Sequence, residues 1–251
     1  MSSPQVISGP AAAGHPIPPA VRTAAGQAEI EGIWQKALGG ITYRIGQGEQ
    51  MRFAKWSPGC PPAEDGDLLA EALRMRWAGE FIRVPEVLSC GQHADGQLLV
   101  TAALPGHSAV SELGKSDPAR SAFAVGAGLR HLHDRLPVDQ CPFSWDLESR
   151  IQHLPAREQA ALLAEIPELD LVVCHGDACL PNTIITDSHD FSAHVDMGKL
   201  GVGDRWADLA VAAWSTEWNY GPGFEQHVYA GYGIEPDERK VSFYRKVWDA
   251  T

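Results

Sequence analysis

Residues 171–198 read Leu171-Val172-Val173-Cys174-His175-Gly176-Asp177-Ala178-Cys179-Leu180-Pro181-Asn182-Thr183-Ile184-Ile185-Thr186-Asp187-Ser188-His189-Asp190-Phe191-Ser192-Ala193-His194-Val195-Asp196-Met197-Gly198. Short apolar runs alternate here with side chains able to do chemistry, the pattern of reactive groups mounted on strands. Residues 171–174 read as a buried strand, and 175–177 as the loop leaving it. Residues 183–186 read as a second strand, 187–190 as a polar turn, and 191–195 as a return strand ending on Asp196. Two strands joined by a turn bring the loop before the first and the loop after the second to one end of a hairpin. Asp177, Asn182 and Asp196 can therefore converge.

Two carboxylates and an amide suit phosphoryl transfer to a hydroxyl, where the protein mainly positions reactants and balances negative charge. Asp177 takes or orients the acceptor's proton in this reading, while Asn182 and Asp196 hold Mg²⁺ through hard oxygen ligands. Taken singly, each is also an ordinary turn residue that hydrogen-bonds its own backbone. Their ordered spacing in a strand context is what favours chemistry.

The spacing carries a resemblance. Asp177-x-x-x-x-Asn182 is the interval of the protein-kinase catalytic loop, and Asp196-Met197-Gly198 stands where that family has Asp-Phe-Gly. His-Gly-Asp-x-x-x-x-Asn followed by an apolar-Asp-apolar-Gly strand end resembles the aminoglycoside phosphotransferases of the 3′ and 3″ type, and residues 198–210 look like that family's run after its metal-binding Asp. The resemblance implies an α+β, bilobal, protein-kinase-like fold: a small N-terminal antiparallel sheet with one helix, then a mainly helical C-terminal lobe. It implies ATP, or GTP, with Mg²⁺ as cofactors, lying between the lobes. Lys199 and Asp249 fall where relatives contact the acceptor, and His175 and Asp208 where they support the catalytic loop.

The rest of the chain is consistent with this layout. Residues 1–25, rich in Ser, Pro, Ala and Gly, bury too little to offset their ordering entropy and are expected to be mobile or draped on the surface, with a short ordered piece over 18–24. Residues 26–102 form the expected nucleotide-binding lobe, and 103–251 the catalytic and acceptor-binding lobe. The first firm element begins near Ile30, with Trp34 buried. From Leu38 alternation on both sides of a Gly-containing turn signals a hairpin. In the kinase-like reading Gly39 and Gly40 cover the nucleotide phosphates, although an ordinary hairpin end reads equally well. Lys55 then reaches the α- and β-phosphates, and Glu71, in a helix capped by Asp67, pairs with Lys55. Residues 57–65 are a Pro/Gly loop, residues 84–88 a strand, and Ala102, Ala103 and Leu104 the backbone that meets the adenine edge.

Further on, residues 121–133 read as a helix whose His131 and His133 face its last carbonyls. Residues 140–154 and 156–165 read as short helices, 206–218 as a buried helix, and 224–232 and 237–248 as closing helices.

Composition limits the partners. An excess of 32 acidic over 20 basic residues, formally -12, argues against nucleic acid or an anionic membrane and suits a cationic small-molecule acceptor. Five scattered Cys with no C-x-x-C pair read as reduced thiols in a cytoplasmic protein, a monomer or weak dimer. No apolar run approaches a membrane span. Three rivals stay open: a kinase of another hydroxylated metabolite, a hydrolase using His175-x-Asp177 and His194-x-Asp196 as metal-ligand pairs, and a binding-only pseudokinase.

Overall fold

The computed structural model describes residues 8–11, 14–36, 39–59 and 66–251. Leu38, Cys60 and most of the expected 57–65 loop lie outside them. The chain divides into two units, Met1–Gly79 with Pro85–Leu104, and Glu80–Val84 with Pro105–Thr251.

The first unit is built on a six-stranded antiparallel sheet. In chain order its elements are β1 (Ser8–Pro10), α1 (Pro19–Ala25), β2 (Ile30–Lys36), β3 (Ile41–Ile45), β4 (Arg52–Pro58), α2 (Leu68–Ala78), β5 (Val87–His93) and β6 (Gly96–Ala102). The strand order is β1-β2-β3-β4-β6-β5. Alternation sorts the side chains onto two faces. Ile41, Tyr43, Ile45, Ala54, Trp56, Leu98 and Val100 pack on one of them, and Lys55 and Leu99 pair in register on the other. Asp67 caps α2 by accepting from the Leu69 and Ala70 amides at 3.0 and 3.1 Å, which satisfies two of the donors that a helix start leaves open.

The short ordered piece expected over 18–24 is helix α1, whose Val21 and Ala25 are buried in one cluster with Tyr43, Ile45 and Trp56. Pro at the first helical position and the Ala-rich run favour the helix. Trp34 is 38% exposed rather than buried. A bulge between Gly32 and Trp34 shifts the pairing so that Trp34 faces Thr42 instead of sharing the Tyr43 core face. The strand expected over 84–88 begins later, at Val87.

The second unit contains β7 (His107–Ser108), α3 (Glu112–Ser116), α4 (Pro118–Arg135), α5 (Leu147–Ile151), α6 (Ala156–Ala164), β8 (Leu171–Cys174), β9 (Thr183–Ile185), β10 (Phe191–His194), β11 (Gly201–Asp204), α7 (Arg205–Tyr220), α8 (Glu225–Tyr232) and α9 (Glu238–Ala250). Helix α7 is buried along most of its length, with Leu209, Ala210, Ala212 and Ala213 at or near zero exposure. Helices α4 and α8 pack closely because Gly126 and Gly231 carry no side chain. A Cβ on either would overlap the opposing backbone at Val228 or Phe123.

The helix expected over 140–154 is mostly absent. Pro142 and the Asp146 cap confine it to α5, and the preceding residues run extended, with Ser144 bridging Val202 and Trp145 N–H donating to Val202 O at 2.9 Å. Strand β11, which carries no strand signal in the sequence, pairs antiparallel with β8 from Gly201↔Cys174 to Asp204↔Leu171.

Candidate active site

Strands β9 and β10 form the hairpin expected from the 171–198 stretch, with His194↔Thr183 at its open end. Val195 N–H donates to Asn182 O at 3.0 Å, and Asn182 Nδ2 donates to the Asp177 carbonyl at 2.9 Å. Those two bonds tie the loop after β8 to the end of the hairpin, bringing Asp177, Asn182 and Asp196 into one region of the second unit. All three are half-buried. The Asn182 bond uses the amide nitrogen, leaving the amide oxygen as the group able to meet a cation. Asp196 sits at φ 62°, a left-handed conformation uncommon outside Gly, so its surroundings hold it against a backbone preference.

His175 is fully buried, and both ring nitrogens are engaged. Its Nε2 lies 2.9 Å from Val195 O and its Nδ1 accepts the Asp177 N–H at 3.2 Å, the pattern of a neutral Nε2–H tautomer. It staples the loop that carries Asp177 to the strand end that carries Asp196. The backbone between them is equally constrained: Gly176 has φ 82°, and a Cβ there would overlap the carbonyl of Lys199. The turn from Met197 to Leu200, closed by Leu200 N–H to Met197 O at 3.2 Å, therefore lies directly against the catalytic loop.

Beneath the loop, the Asp208 carboxylate accepts the His175 amide at 2.6 Å and the Gly176 amide at 2.9 Å. His133 Nε2 adds a third contact at 3.0 Å. Burial pushes the Asp208 carboxyl up, but His133 and the amides outweigh it and hold the group below the usual carboxylate range. His133 does not face its own helix end, as expected, but crosses to α7. Its Nδ1 meets Tyr232 OH at 2.9 Å, and Tyr232 OH accepts from Arg205 Nη1 at 3.0 Å. With Arg205 donating, the tyrosine hydrogen points to His133 Nδ1, and His133 Nε2–H points to Asp208. Arg205 in turn pairs with Asp170, just before β8, its Nη2 donating to Asp170 Oδ1 at 2.7 Å. Neither the His133 contact nor Tyr232 is recognisable in the sequence, since nothing local links residues 75 and 99 positions apart from their partners.

A second support runs from α7 to the loop's far side. Ser215 Oγ accepts the Leu180 amide at 3.1 Å and is itself held by Asn219 Nδ2 at 3.1 Å. Cys179 lies in this loop, and burial followed by the Asp177 charge pushes its thiol well up, which makes it a poor nucleophile.

The metal-ligand pairs of a hydrolase do not form. The His175 nitrogens are taken by the Val195 carbonyl and the Asp177 amide, and His194 is buried. His133, Cys174 and Asp208 come close enough together to hold an ion. They are fully or nearly fully buried, however, and the Asp208 oxygens are committed to His133 and two amides.

The first unit contributes its own constellation. Lys55 Nζ donates to Glu71 Oε1 at 2.7 Å, joining β4 to α2. Gly39 adopts φ 84° in the turn after β2, where its N–H donates to Lys36 O at 3.0 Å. At the end of β6 the Ala102 amide donates to Glu86 O at 2.9 Å and the Ala103 amide to Met51 O at 3.1 Å. Those two N–H groups serve the sheet, so of the three expected residues Leu104 is left to offer a donor. Lys199 is half-buried beside the loop, and Asp249 is exposed on the last turn of α9.

This fold and these loops define a kinase-like phosphotransferase of small molecules. Residues 42–244 match the phosphotransferase enzyme family APH, and the chain belongs to that family. An aminoglycoside 3′-phosphotransferase of Streptomyces fradiae is 33% identical, covering 82% of this chain and 89% of that protein. A crystal structure of an aminoglycoside 3′-phosphotransferase of type VIII superposes with a TM-score of 0.77 at 27% identity, covering 92% of this chain and 97% of that one. The aminoglycoside phosphotransferase APH(3″)-Id of Streptomyces rimosus, solved with ADP and streptomycin, superposes with a TM-score of 0.71 at 27% identity and covers 92% of this chain and 96% of its own.

Proposed function

We propose that this protein transfers the γ-phosphate of ATP to a hydroxyl of an aminoglycoside, the chemistry of antibiotic resistance by modification. The observation that carries the reading is the pinning of Asp177, Asn182 and Asp196 together by Asn182 Nδ2, Val195 N–H and the neutral His175. Asp177 acts as the base, or orients the acceptor hydroxyl, so that its proton has a place to go as the oxygen attacks phosphorus. The Asp196 carboxylate and the Asn182 amide oxygen are hard donors that fit Mg²⁺. Bound there, the ion balances the charge of the nucleotide phosphates.

Lys55, oriented by Glu71, meets the α- and β-phosphates, with Gly39 and Gly40 approaching them by backbone. At the base edge, the Ala102 carbonyl and the Leu104 amide supply an acceptor followed by a donor. That order matches adenine, whose amino group donates and whose ring nitrogen accepts, and mismatches guanine, which favours ATP over GTP. Lys199 and Asp249 contact the acceptor, and reliance on ATP places the reaction in the cytoplasm. No described helix is long and apolar enough to cross a membrane.

The direct test incubates the protein with ATP, Mg²⁺ and kanamycin or streptomycin, and follows ADP release together with the mass of the antibiotic. Addition of one phosphoryl group, dependent on Asp177, is expected. ADP release without a modified antibiotic would count against the acceptor class.

A further inference from the structure

Asn182 ends a 3₁₀ turn, Leu180–Asn182, which makes its own bonds from Asn182 N–H to Cys179 O at 3.0 Å and from Thr183 N–H to Leu180 O. So short a turn leaves its next carbonyls, those of Pro181 and Asn182, without an onward partner. Asn182 O accepts from Val195 N–H at 3.0 Å, within the catalytic stretch itself. Pro181 O accepts from Ser108 Oγ at 3.0 Å, a side chain 73 residues away in sequence. The Pro181 carbonyl and the Asn182 N–H belong to one peptide plane. With Cys179 at one polar end and Ser108 at the other, that plane cannot rock.

Ser108 is itself firmly placed. It lies on β7 and pairs with Ile184 of β9, in a three-stranded sheet of order β10-β9-β7. Ala109 N–H donates to Thr183 O at 2.9 Å, and Ala109 O accepts from Tyr220 OH at 2.6 Å. Glycines permit this close approach: a Cβ on Gly106, at φ 124°, would lie 2.6 Å from Ile185 O, and one on Gly114 would overlap Ala109 O. The Ser108 hydroxyl accepts Val110 N–H at 3.4 Å, which leaves its hydrogen for Pro181 O. An amide two residues on is an ordinary serine turn contact. The bond to Pro181 instead crosses to the catalytic loop.

We propose that Ser108 is a positioning residue for phosphoryl transfer: by holding the Pro181–Asn182 peptide plane it sets the direction in which Asn182 presents its amide oxygen to Mg²⁺. The inference rests on the reading of Asn182 as a metal ligand. Asn182 Nδ2 donates to Asp177 O, so a tilt of the plane would either break that bond or swing the amide oxygen. Mg²⁺ demands near-ideal octahedral geometry, and a misdirected ligand therefore weakens the hold on the metal. Nucleotide binding that does not involve the metal is left untouched.

The test compares wild type, Ser108→Ala and Ser108→Thr. A non-hydrolysable ATP analogue is titrated by calorimetry in Mg²⁺ and again in EDTA, without acceptor. Ser108→Ala is expected to raise Kd in Mg²⁺ about fivefold, the scale of one lost hydrogen bond, and to leave Kd in EDTA unchanged. Ser108→Thr keeps the hydroxyl and is expected to bind as wild type does. Turnover of Ser108→Ala with ATP and kanamycin is expected to fall at limiting free Mg²⁺ and to recover as Mg²⁺ is raised. Should Ser108→Ala fail to fold, Ser108→Cys, with only a weak S–H donor, takes its place.

If wild-type affinity responds to Mg²⁺ and Ser108→Ala keeps the wild-type Kd, the positioning role is overturned and the metal reading of Asn182 stands. An equal rise of Kd in Mg²⁺ and in EDTA also overturns it, since that marks a general loosening of the loop. A wild type whose affinity ignores Mg²⁺ overturns the metal reading, and the inference with it.

Discussion

Lys55 and Glu71 form an ion pair of 2.7 Å in which Glu71 is only 4% exposed. A carboxylate that deep in the sheet–helix contact is tolerable because the ammonium meets it, so breaking the pair is destabilising. The pairing also fixes where the lysine ammonium lies. Glu71→Ala is therefore expected to lower the melting temperature and to raise KM for ATP at least tenfold. Lys55→Ala should match it in KM, and the double variant should be no worse than either alone. Additive losses in the double variant would show that the two residues act separately.

Gly176→Ala combines a positive φ with overlap on the Lys199 carbonyl. It is expected to cost about 1–3 kcal/mol in stability and to lower kcat by about a hundredfold, since the loop bearing Asp177 must shift. Thermal unfolding and steady-state kinetics check both halves. Unchanged kcat would mean that the turn at Lys199 can yield without moving Asp177.

Acid stability follows from Asp208. Its folded pKa lies below the unfolded value, so its ionised form contributes stability that is present above about pH 4 and lost as pH falls through the folded value. Wild-type stability is expected to fall more steeply below about pH 4 than that of Asp208→Asn, by up to about 1.4 kcal/mol per pH unit. Urea melts from pH 3 to pH 7 make the comparison. Parallel curves would assign the acid sensitivity to other carboxylates.

His133 reaches Asp208 with one nitrogen and Tyr232 with the other. His133→Phe takes one of two contacts from an Asp208 oxygen that keeps the His175 amide, and leaves the buried Tyr232 O–H without its acceptor, at about 1–3 kcal/mol. The expected result is a lower kcat with KM for ATP nearly unchanged, and partial recovery in His133→Gln, which keeps a donor. An equal rise in KM for ATP would point to general unfolding instead.

What sequence can reveal divides along physical lines. The catalytic hairpin is legible because its strands are short, its turn is polar and its chemistry lies within a short span of chain. The Lys55–Glu71 pair is legible only through the resemblance, since each residue alone looks like a solvated charge. Helix α1 is legible only as a short ordered piece, because its two buried positions, Val21 and Ala25, make no period. The bulge at Gly32 that turns Trp34 outward leaves no local mark. The Arg205–Tyr232–His133–Asp208 chain joins elements distant in sequence, so only the folded arrangement exposes it. Which backbone groups around Ala102 to Leu104 are spoken for is invisible without the sheet order, since pairing claims the Ala102 and Ala103 amides for Glu86 and Met51.

The most direct test of the phosphotransfer reading is Asp177→Asn, assayed for kcat and, by calorimetry, for ATP·Mg²⁺ affinity. The substitution keeps size and hydrogen bonding but removes the base, so kcat should fall by about a thousandfold or more while nucleotide affinity stays within about twofold. Turnover near the wild-type level, or a loss of nucleotide binding as large as the loss of rate, would contradict the assignment.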